Sequence, residues 1–395
     1  MKPFISSYES NWQETFLKTF KNQNDFVFYL GKTQKFFGDK DQKNPSDLYK
    51  FLKNAGCHTV DVYDIDPKKP IASLDKVHAV MEYIPDDFKD KTHVVVGSGS
   101  LLDTIKHALY LKYGTEVSLW SIPTATSVTA YSSPFAVLEQ NSHKKTYPSL
   151  LPSRVIWVEQ IIWHAPTLMN LSGLGDALAI ITSSYDIWFQ KFIGVSTQSL
   201  SQDKVYSLID LIFSIQDLSF PKPLTDLLIQ LGLMCGEWGS TSIISGFEHA
   251  LSHTLDLLSH EYDLFPLQSH GLQVGLATLT LTGLETSLHN VPLKEDKTEK
   301  IKAHCKLLKV PYAHAIEIYQ YKRNILKNVN LKKFQEEQPF KVSYKKLQKF
   351  MVSHNIPITA ESLDIPLKEF NWALNYAPFY RDRISFWDGQ IIEKL

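Results

Sequence analysis

The stretch Val94-Val-Val-Gly97-Ser98-Gly99-Ser100-Leu101-Leu-Asp103 limits the fold of this chain more than any other. A short β-branched run ends in two glycines and a serine, then gives way to the helical spacing of Leu101, Leu102, Ile105, Ala108 and Leu109. Glycines let a backbone approach a phosphate closely, and a helix start offers free N–H groups and the positive end of a dipole. A second apolar run, Val117 to Ile122, ends in Pro123-Thr124-Ala125-Thr126-Ser127, with Ser132-Ser133 soon after. Two consecutive strands therefore finish in glycine and small hydroxyl residues, where open α/β sheets bind their ligands. The glycine pattern is not G-x-G-x-x-G, so alone it is a weak signal.

The surrounding chain reads as alternating helices and strands. Asn11 to Phe20 has a helical pattern and Phe26 to Leu30 a strand pattern. The polar loop from Asp39 leads to Ser46 as N-cap of a helix Asp47–Asn54, and Val60 to Ile65 alternates like a strand. Strands spaced by helices predict a doubly wound parallel sheet, an α/β nucleotide-binding domain over residues 1–165. From Pro166 the pattern changes to long apolar-periodic segments such as Lys204–Ile215 and Leu224–Met234, which predict an all-helical domain over 166–395 carrying metal and substrate. A chain of 395 residues is long enough for two such cores. Its net charge of −1 leaves no basic footprint for nucleic acid. No apolar run is long enough to span a bilayer, and Met1-Lys-Pro-Phe-Ile-Ser-Ser-Tyr lacks a signal-peptide core. Cys57, Cys235 and Cys305 are scattered and read as buried thiols of a reducing compartment, so the expected location is cytoplasmic.

The second domain holds the chemistry. In Ser245-Gly-Phe-Glu248-His249-Ala-Leu-Ser-His253, the two histidines lie one helical turn apart and stack on one face. His270, in Ser269-His270-Gly271, opens what reads as another helix running from Gly271 to Leu281. Asp176, in Leu174-Gly-Asp-Ala-Leu, offers a carboxylate at what reads as a helix start. Imidazoles plus one carboxylate with an open position are a set that Zn or another divalent metal accepts in catalysis.

The order Gly-Ser-Gly-Ser-x-x-Asp, Pro-Thr-x-x-Ser, Gly-x-Gly-Asp, Ser-Gly-x-Glu-His-x-x-Ser-His and His-Gly resembles the glycerol-1-phosphate dehydrogenases. These form a branch of the metal-dependent alcohol dehydrogenase and dehydroquinate synthase-like superfamily. Lys144-Lys-Thr-Tyr-Pro, Val155-Ile-Trp-Val-Glu159, His164-Ala-Pro166 and Tyr380-Arg-Asp-Arg383 match as well, and the likeness runs from Asn24 to the end. The resemblance implies an NAD(P)-linked oxidoreductase interconverting dihydroxyacetone phosphate and glycerol 1-phosphate or a related polyol phosphate. It implies one divalent metal, Zn ahead of Ni or Fe, on Asp176, His249 and His270, with His253 and Asp176 as catalytic and substrate-binding residues. Glu248 is expected behind the ligands or on the helix face. NAD or NADP would lie along Gly97, Ser98, Gly99, Ser100 and Leu101, with Thr124, Ala125, Thr126, Ser127 and Ser133 around its pyrophosphate and nicotinamide end. A homodimer or higher homo-oligomer is expected.

Several residues depart from that pattern. Thr129 stands where an aspartate touching substrate is expected, and Ser242 where an arginine suited to a substrate phosphate is expected. Leu30 replaces the carboxylate that reads the adenosine ribose, although Thr33 still matches, and Leu272 replaces a glutamate. If the phosphate is still bound, Lys144, Lys145 and Arg381 are the first candidates to hold it. The N-terminus reads as short of one strand unit. Two other readings remain: a dehydroquinate synthase-like cyclase or lyase using NAD transiently, and a diverged relative without dehydrogenase activity. Enzymes of the first kind usually carry a glutamate where Asp176 stands.

Overall fold

The computed structural model describes residues 4–31, 35–62, 71–141, 143–219, 221–285, 295–338 and 340–395. Its strands are β1 (Ile5–Glu9), β2 (Phe26–Gly31), β3 (Phe36–Phe37), β4 (Ser46–Asp47), β5 (His58–Val62), β6 (Thr92–Gly97), β7 (Ser118–Pro123), β8 (Phe135–Gln140), β9 (His143–Pro148) and β10 (Arg154–Val158). Six of them form one sheet in the order β1-β10-β7-β6-β2-β5, with every neighbouring pair parallel. Val94, Val95 and Val96 are fully buried, as the central strand of a sheet covered on both faces requires. The N-terminus does supply a strand: β1 pairs in register with β10 from Ile5 opposite Arg154 to Glu9 opposite Val158. The antiparallel hairpin β8–β9 had no counterpart in the sequence reading.

The helices around this sheet are α1 (Trp12–Thr19), α2 (Leu48–Asn54), α3 (Leu74–Tyr83), α4 (Gly99–Tyr113) and α5 (Glu159–Ile162). Trp12, Phe16 and Phe20 of the α1 region pack with Phe26, Phe28, Leu48, Leu52 and Ile156 in an aromatic-rich core. The N-cap of α1 is Asn11, whose side chain accepts from Glu14 N–H at 3.0 Å. The expected cap of α2 moves by one residue. Asp47, not Ser46, accepts from Lys50 N–H at 3.1 Å, because α2 begins at Leu48, one residue later than expected. The strand read from Val60 starts earlier, at His58, and Tyr63 to Ile65 lie outside the described residues, as does Thr33.

Beyond the sheet come α6 (Thr167–Ala177), α7 (Ile180–Phe192), α8 (Gln202–Ser214), α9 (Lys222–Trp238), α10 (Phe247–Tyr262), α11 (His270–Glu285), α12 (Thr298–Leu307), α13 (Ala313–Leu326), α14 (Leu331–Glu337), α15 (Tyr344–Ser353), α16 (Leu367–Tyr376) and α17 (Asp388–Lys394). The chain divides into two compact units, residues 1–174 with 215–241, and 175–214 with 242–395. Where the sequence offers one boundary at 165, the units are interleaved: the chain enters the helical unit at 175 and returns to the first for 215–241. Packing explains the return. Ser132 Oγ donates to Ile229 O of α9 at 2.9 Å, and a Cβ on Gly232 would come within 2.6 Å of Thr129 O. No helix among the described residues is long and apolar enough to cross a membrane.

Candidate metal centre and nucleotide loop

Asp176, His249 and His270 converge in the helical unit, each offering one ligand atom, with these atoms within 4.8 Å of one another. His249 Nε2 lies 3.4 Å and His270 Nε2 3.9 Å from Asp176 Oδ1. Donors on a tetrahedral divalent cation with bonds of about 2 Å stand roughly 3.3 Å apart, so the group is close to the size that such an ion requires. Asp176 closes α6 and does not open a helix as expected. The reason lies in Gly175, where a Cβ would collide with Gly271 O, and in Gly275, where a Cβ would sit 3.2 Å from Gly175 Cα. Here glycine permits the end of α6 to touch the start of α11, placing Asp176 beside His270.

Both imidazoles are oriented from behind. Glu248 Oε1 accepts from His249 Nδ1 at 2.9 Å, leaving Nε2 for the centre. His270 Nδ1 lies 3.0 Å from Ser252 Oγ, which donates to Gln273 Oε1 at 2.8 Å, while Gln273 Nε2 donates to Asp256 at 3.1 Å. A serine already donating to Gln273 accepts from His270, so His270 Nε2 also faces the centre without a proton. Burial works against charge on His249, yet Asp176 and Glu248 outweigh it and raise its pKa. The site thus favours positive charge, which is the electrostatic requirement for holding a cation. Burial opposes charge on Glu248 too, but its bonds from His249 and Thr182 win and hold its carboxyl below the usual range.

His253 is buried, its ring stacked on His270 with centroids 5.5 Å apart and 5.7 Å from the Tyr380 ring. The other expected substrate residue, Thr129, is buried in the first unit, in the 3-10 turn Thr129–Ser132. Ser242 lies in the turn Thr241–Ile244 ahead of α10. Arg381 donates to Ser245 Oγ at 3.4 Å, Ser245 O at 3.3 Å and Gly246 O, and Arg383 donates to Ser245 O. Both arginines therefore grip the backbone in front of α10. Asp186 joins them from below: it accepts from Phe247 N–H at 3.0 Å, Ser385 Oγ at 2.8 Å and Phe386 N–H at 2.9 Å. Burial, then the Glu248 charge, pushes its carboxyl up to about 7. Lys145 Nζ donates to Gln140 at 3.1 Å on the β8–β9 hairpin, and Lys144 is half-buried there.

In the first unit, Gly97 ends β6 and Ser98, Gly99, Ser100 and Leu101 turn into α4. The glycines have a packing role that the sequence did not reveal. A Cβ on Gly97 would meet Leu101 Cδ2 at 2.6 Å, and one on Gly99 would meet Val128 Cγ2 at 2.5 Å. Thr124 N–H donates to Gly97 O at 3.2 Å, tying the two strand ends together. Thr126 is bonded through N–H and Oγ to Asn170 Oδ1, both at 3.0 Å. Ser127 Oγ lies 3.1 Å from Tyr131 OH, which donates to Ala125 O, and Ser133 Oγ accepts from Phe135 N–H. These bonds hold the segment after β7 together and tie it to Asn170 of α6. Asn170, Lys106 and Ser252 were missed by sequence reasoning. Lys106 is fully buried, pairs with Asp103 at 2.7 Å and donates to Ala130 O at 3.3 Å. The signal for it was present as Asp103-x-x-Lys106 on one helix face, and for Ser252 as the polar stripe 249, 252, 253, 256.

Comparison with known proteins finds relatives by sequence and by fold. Residues 45–166 match the iron-containing alcohol dehydrogenase family. Glycerol-1-phosphate dehydrogenase [NAD(P)+] of Methanococcus maripaludis is 27% identical over 238 residues, covering 58% of this chain and 68% of the relative. The enzyme of the same name from Sulfurisphaera tokodaii is 27% identical, with 63% and 68% covered. For that of Methanococcus vannielii, 28% identical, the match covers 48% of this chain and a little over half, 57%, of the relative. Among solved structures, 1,3-propanediol oxidoreductase superposes with a TM-score of 0.57 at 12% identity, covering 99% of this chain and 98% of that one. NADH-dependent butanol dehydrogenase A of Thermotoga maritima gives 0.57 at 14% identity, with 100% and 97% covered. At such identities these two establish the fold alone.

Proposed function

From a chain related to the glycerol-1-phosphate dehydrogenases and the iron-containing alcohol dehydrogenases, we infer a metal-dependent, NAD(P)-linked oxidoreductase acting on the CH–OH group of a small polyol phosphate. One observation carries the metal dependence: Asp176, His249 and His270 share a centre, and each imidazole has its Nδ1 engaged behind it. Zinc comes first for this mixed N/O set, ahead of nickel and iron. When bound, the cation supplies Lewis acidity toward the alcohol or keto oxygen, and the nicotinamide supplies or accepts the hydride.

The chain's own residues would do the rest. Glu248 and Ser252 keep the two Nε2 atoms turned inward. His253, buried beside His270 and Tyr380, holds or releases the proton of the substrate hydroxyl at an imidazole nitrogen. Backbone N–H groups of Ser98 to Leu101, at the start of α4, bind the cofactor pyrophosphate, with Thr124 to Ser127 and Ser133 shaping the wall beside it. The three cysteines are free and buried, which suits a reducing cytoplasm. A homodimer or higher oligomer completes the reading, to be checked by light scattering.

The test is a screen of keto and polyol phosphates with both nicotinamide cofactors on metal-loaded protein. Sustained substrate-dependent change in NAD(P)H absorbance supports the dehydrogenase. Product without net change would instead mark a cyclase or lyase, and silence at full metal occupancy a relative that has lost the reaction.

A further inference from the structure

We propose that Lys35 selects the cofactor, favouring a 2′-phosphorylated nicotinamide dinucleotide over the unphosphorylated one; this rests on the nucleotide role assigned above to Gly97–Leu101. The sheet order fixes where a nucleotide would lie. From β2 the chain moves outward to β5, then crosses back to place β6 on the other side of β2 and continues to β7. The direction of winding thus reverses between β2 and β6, and the crevice at their carboxyl ends is the ligand position in such sheets. Gly31 ends β2, and the pairing of Leu30 with Val96 sets it level with Gly97.

Lys35 reaches into that crevice. Its Nζ lies 3.7 Å from where a Cβ on Gly31 would be, and Leu101 Cδ2 lies 3.6 Å from the same point. The ammonium therefore sits over the end of β2, beside the first turn of α4. Its backbone is fixed, because Lys35 O accepts from Leu48 N–H at 2.9 Å.

With the pyrophosphate on the Gly97–Leu101 turn after β6 and the nicotinamide end toward Thr124–Ser127 after β7, the adenosine ribose would fall on the opposite side, at the end of β2. An acid accepts from the 2′-hydroxyl when NAD is used, and a cation accommodates the 2′-phosphate of NADP. Here the strand ends in Leu30, buried in the apolar core, and Gly31, so β2 brings no acid to its end. Asp61, level with Leu30 on β5, is engaged by Tyr49 OH at 2.9 Å and Lys53 at 3.2 Å. Burial pushes the Lys35 ammonium down to about 8. A compact ammonium suits a phosphate monoester.

Calorimetric titration of 5′-AMP, 2′,5′-ADP, NAD and NADP into the full chain, Lys35→Met and Lys35→Glu tests this without turnover. Wild-type protein should bind 2′,5′-ADP at least about tenfold more tightly than 5′-AMP, the scale of one charge-assisted bond. Lys35→Met should erase most of that ratio and leave 5′-AMP within about twofold, and Lys35→Glu should invert the preference between NADP and NAD. Equal losses for all four ligands would put Lys35 on the shared phosphates and overturn the inference, as would unchanged ratios. Wild-type protein that binds none of the four would overturn the nucleotide role of Gly97–Leu101 as well, whereas binding without preference would overturn this inference alone.

Discussion

Glu248 accepts from His249 Nδ1 at 2.9 Å, and the same buried carboxylate takes bonds from Thr182 Oγ at 2.7 Å and Gly246 N–H. One residue therefore fixes the tautomer of its neighbour, places a second negative charge behind the centre and closes the first turn of α10. Removing the charge while keeping the shape, as Glu248→Gln, should weaken divalent-metal affinity about 10- to 100-fold, the usual cost of losing an outer partner of a ligand. His249→Ala should lose the metal itself. Metal analysis after dialysis against graded chelator reads both, and a fully metallated His249→Ala would remove His249 from the ligand set.

Gly99 is bounded by a side chain. Because an added Cβ meets Val128 Cγ2 at 2.5 Å, Gly99→Ala should cost about 1–3 kcal/mol by overpacking and weaken nucleotide binding by shifting the 124–128 segment. Gly99→Ala with Val128→Ala should recover most of the stability in thermal melts. A double variant as stable as wild type that still fails to bind nucleotide would assign Gly99 to the phosphate cradle directly. If the double variant recovers neither property, the Val128 contact is not what the glycine serves.

The parallel sheet and its order of elements were legible because Val94–Val96 and Val117–Ile122 are runs that only buried strands tolerate, each followed by turn residues. The histidine pair was legible because helical spacing fixes which side chains share a face. Relationships across sequence were not. Nothing in the residues near Gly175 says that Gly271 will lie against it, so Asp176 was read at a helix start when α6 runs through it. The return of 215–241 to the first unit rests on Gly232 meeting Thr129 O, a contact between residues about a hundred positions apart. The cap of α2 falls on Asp47 and not on Ser46, next to strands of only two residues that are too short to leave a pattern.

His93, on the central strand β6, is a buried neutral imidazole. Its Nε2 donates to Phe88 O at 3.0 Å and its Nδ1 accepts from Tyr29 OH at 2.7 Å, while burial pushes its pKa down to about 4. The unfolded chain takes up this proton near pH 6.5, the folded one only near 4. The stability gained by keeping the ring neutral is therefore complete above about pH 6.5 and is lost as pH falls toward 4, by up to about 3 kcal/mol. Urea titrations at pH 7.5 and 4.5 should show a smaller drop in His93→Gln than in wild type, from a lower starting point. Parallel slopes in the two proteins would rule the imidazole out as an acid-sensitive element.

Lys322 and Asp388 form an ion pair at 2.9 Å with both side chains almost fully buried. Asp388 also accepts from Ser385 N–H at 2.7 Å, in the segment that meets Asp186. Lys322→Met would strand a buried carboxylate and should cost about 3–5 kcal/mol. Lys322→Met with Asp388→Asn should cost much less, since the amide still accepts from Ser385 while the charge is gone. Chemical denaturation of the two variants checks the difference, and equal losses would mean that volume, not charge, decides stability there.

The substrate side carries the last expectation. Thr129 and Ser242 stand where relatives are expected to present an aspartate and an arginine, and neither threonine nor serine can supply the missing charge. A charge-assisted bond is worth about 1.5–3 kcal/mol, so each absent group should cost one to two decades in transition-state binding. Arg381 and Arg383 are directed at the carbonyls of Ser245 and Gly246. Turnover of dihydroxyacetone phosphate should therefore be poor beside that of glycerol-1-phosphate dehydrogenases carrying both groups, and a different polyol or sugar derivative should be preferred. Thr129→Asp with Ser242→Arg should raise kcat/KM for dihydroxyacetone phosphate. Melting curves must accompany the kinetics, because Thr129 is buried and an aspartate there needs a partner. Wild-type protein reducing dihydroxyacetone phosphate as efficiently as those enzymes would sink the idea and send the search for the phosphate partner to Lys144, Lys145 and Arg381.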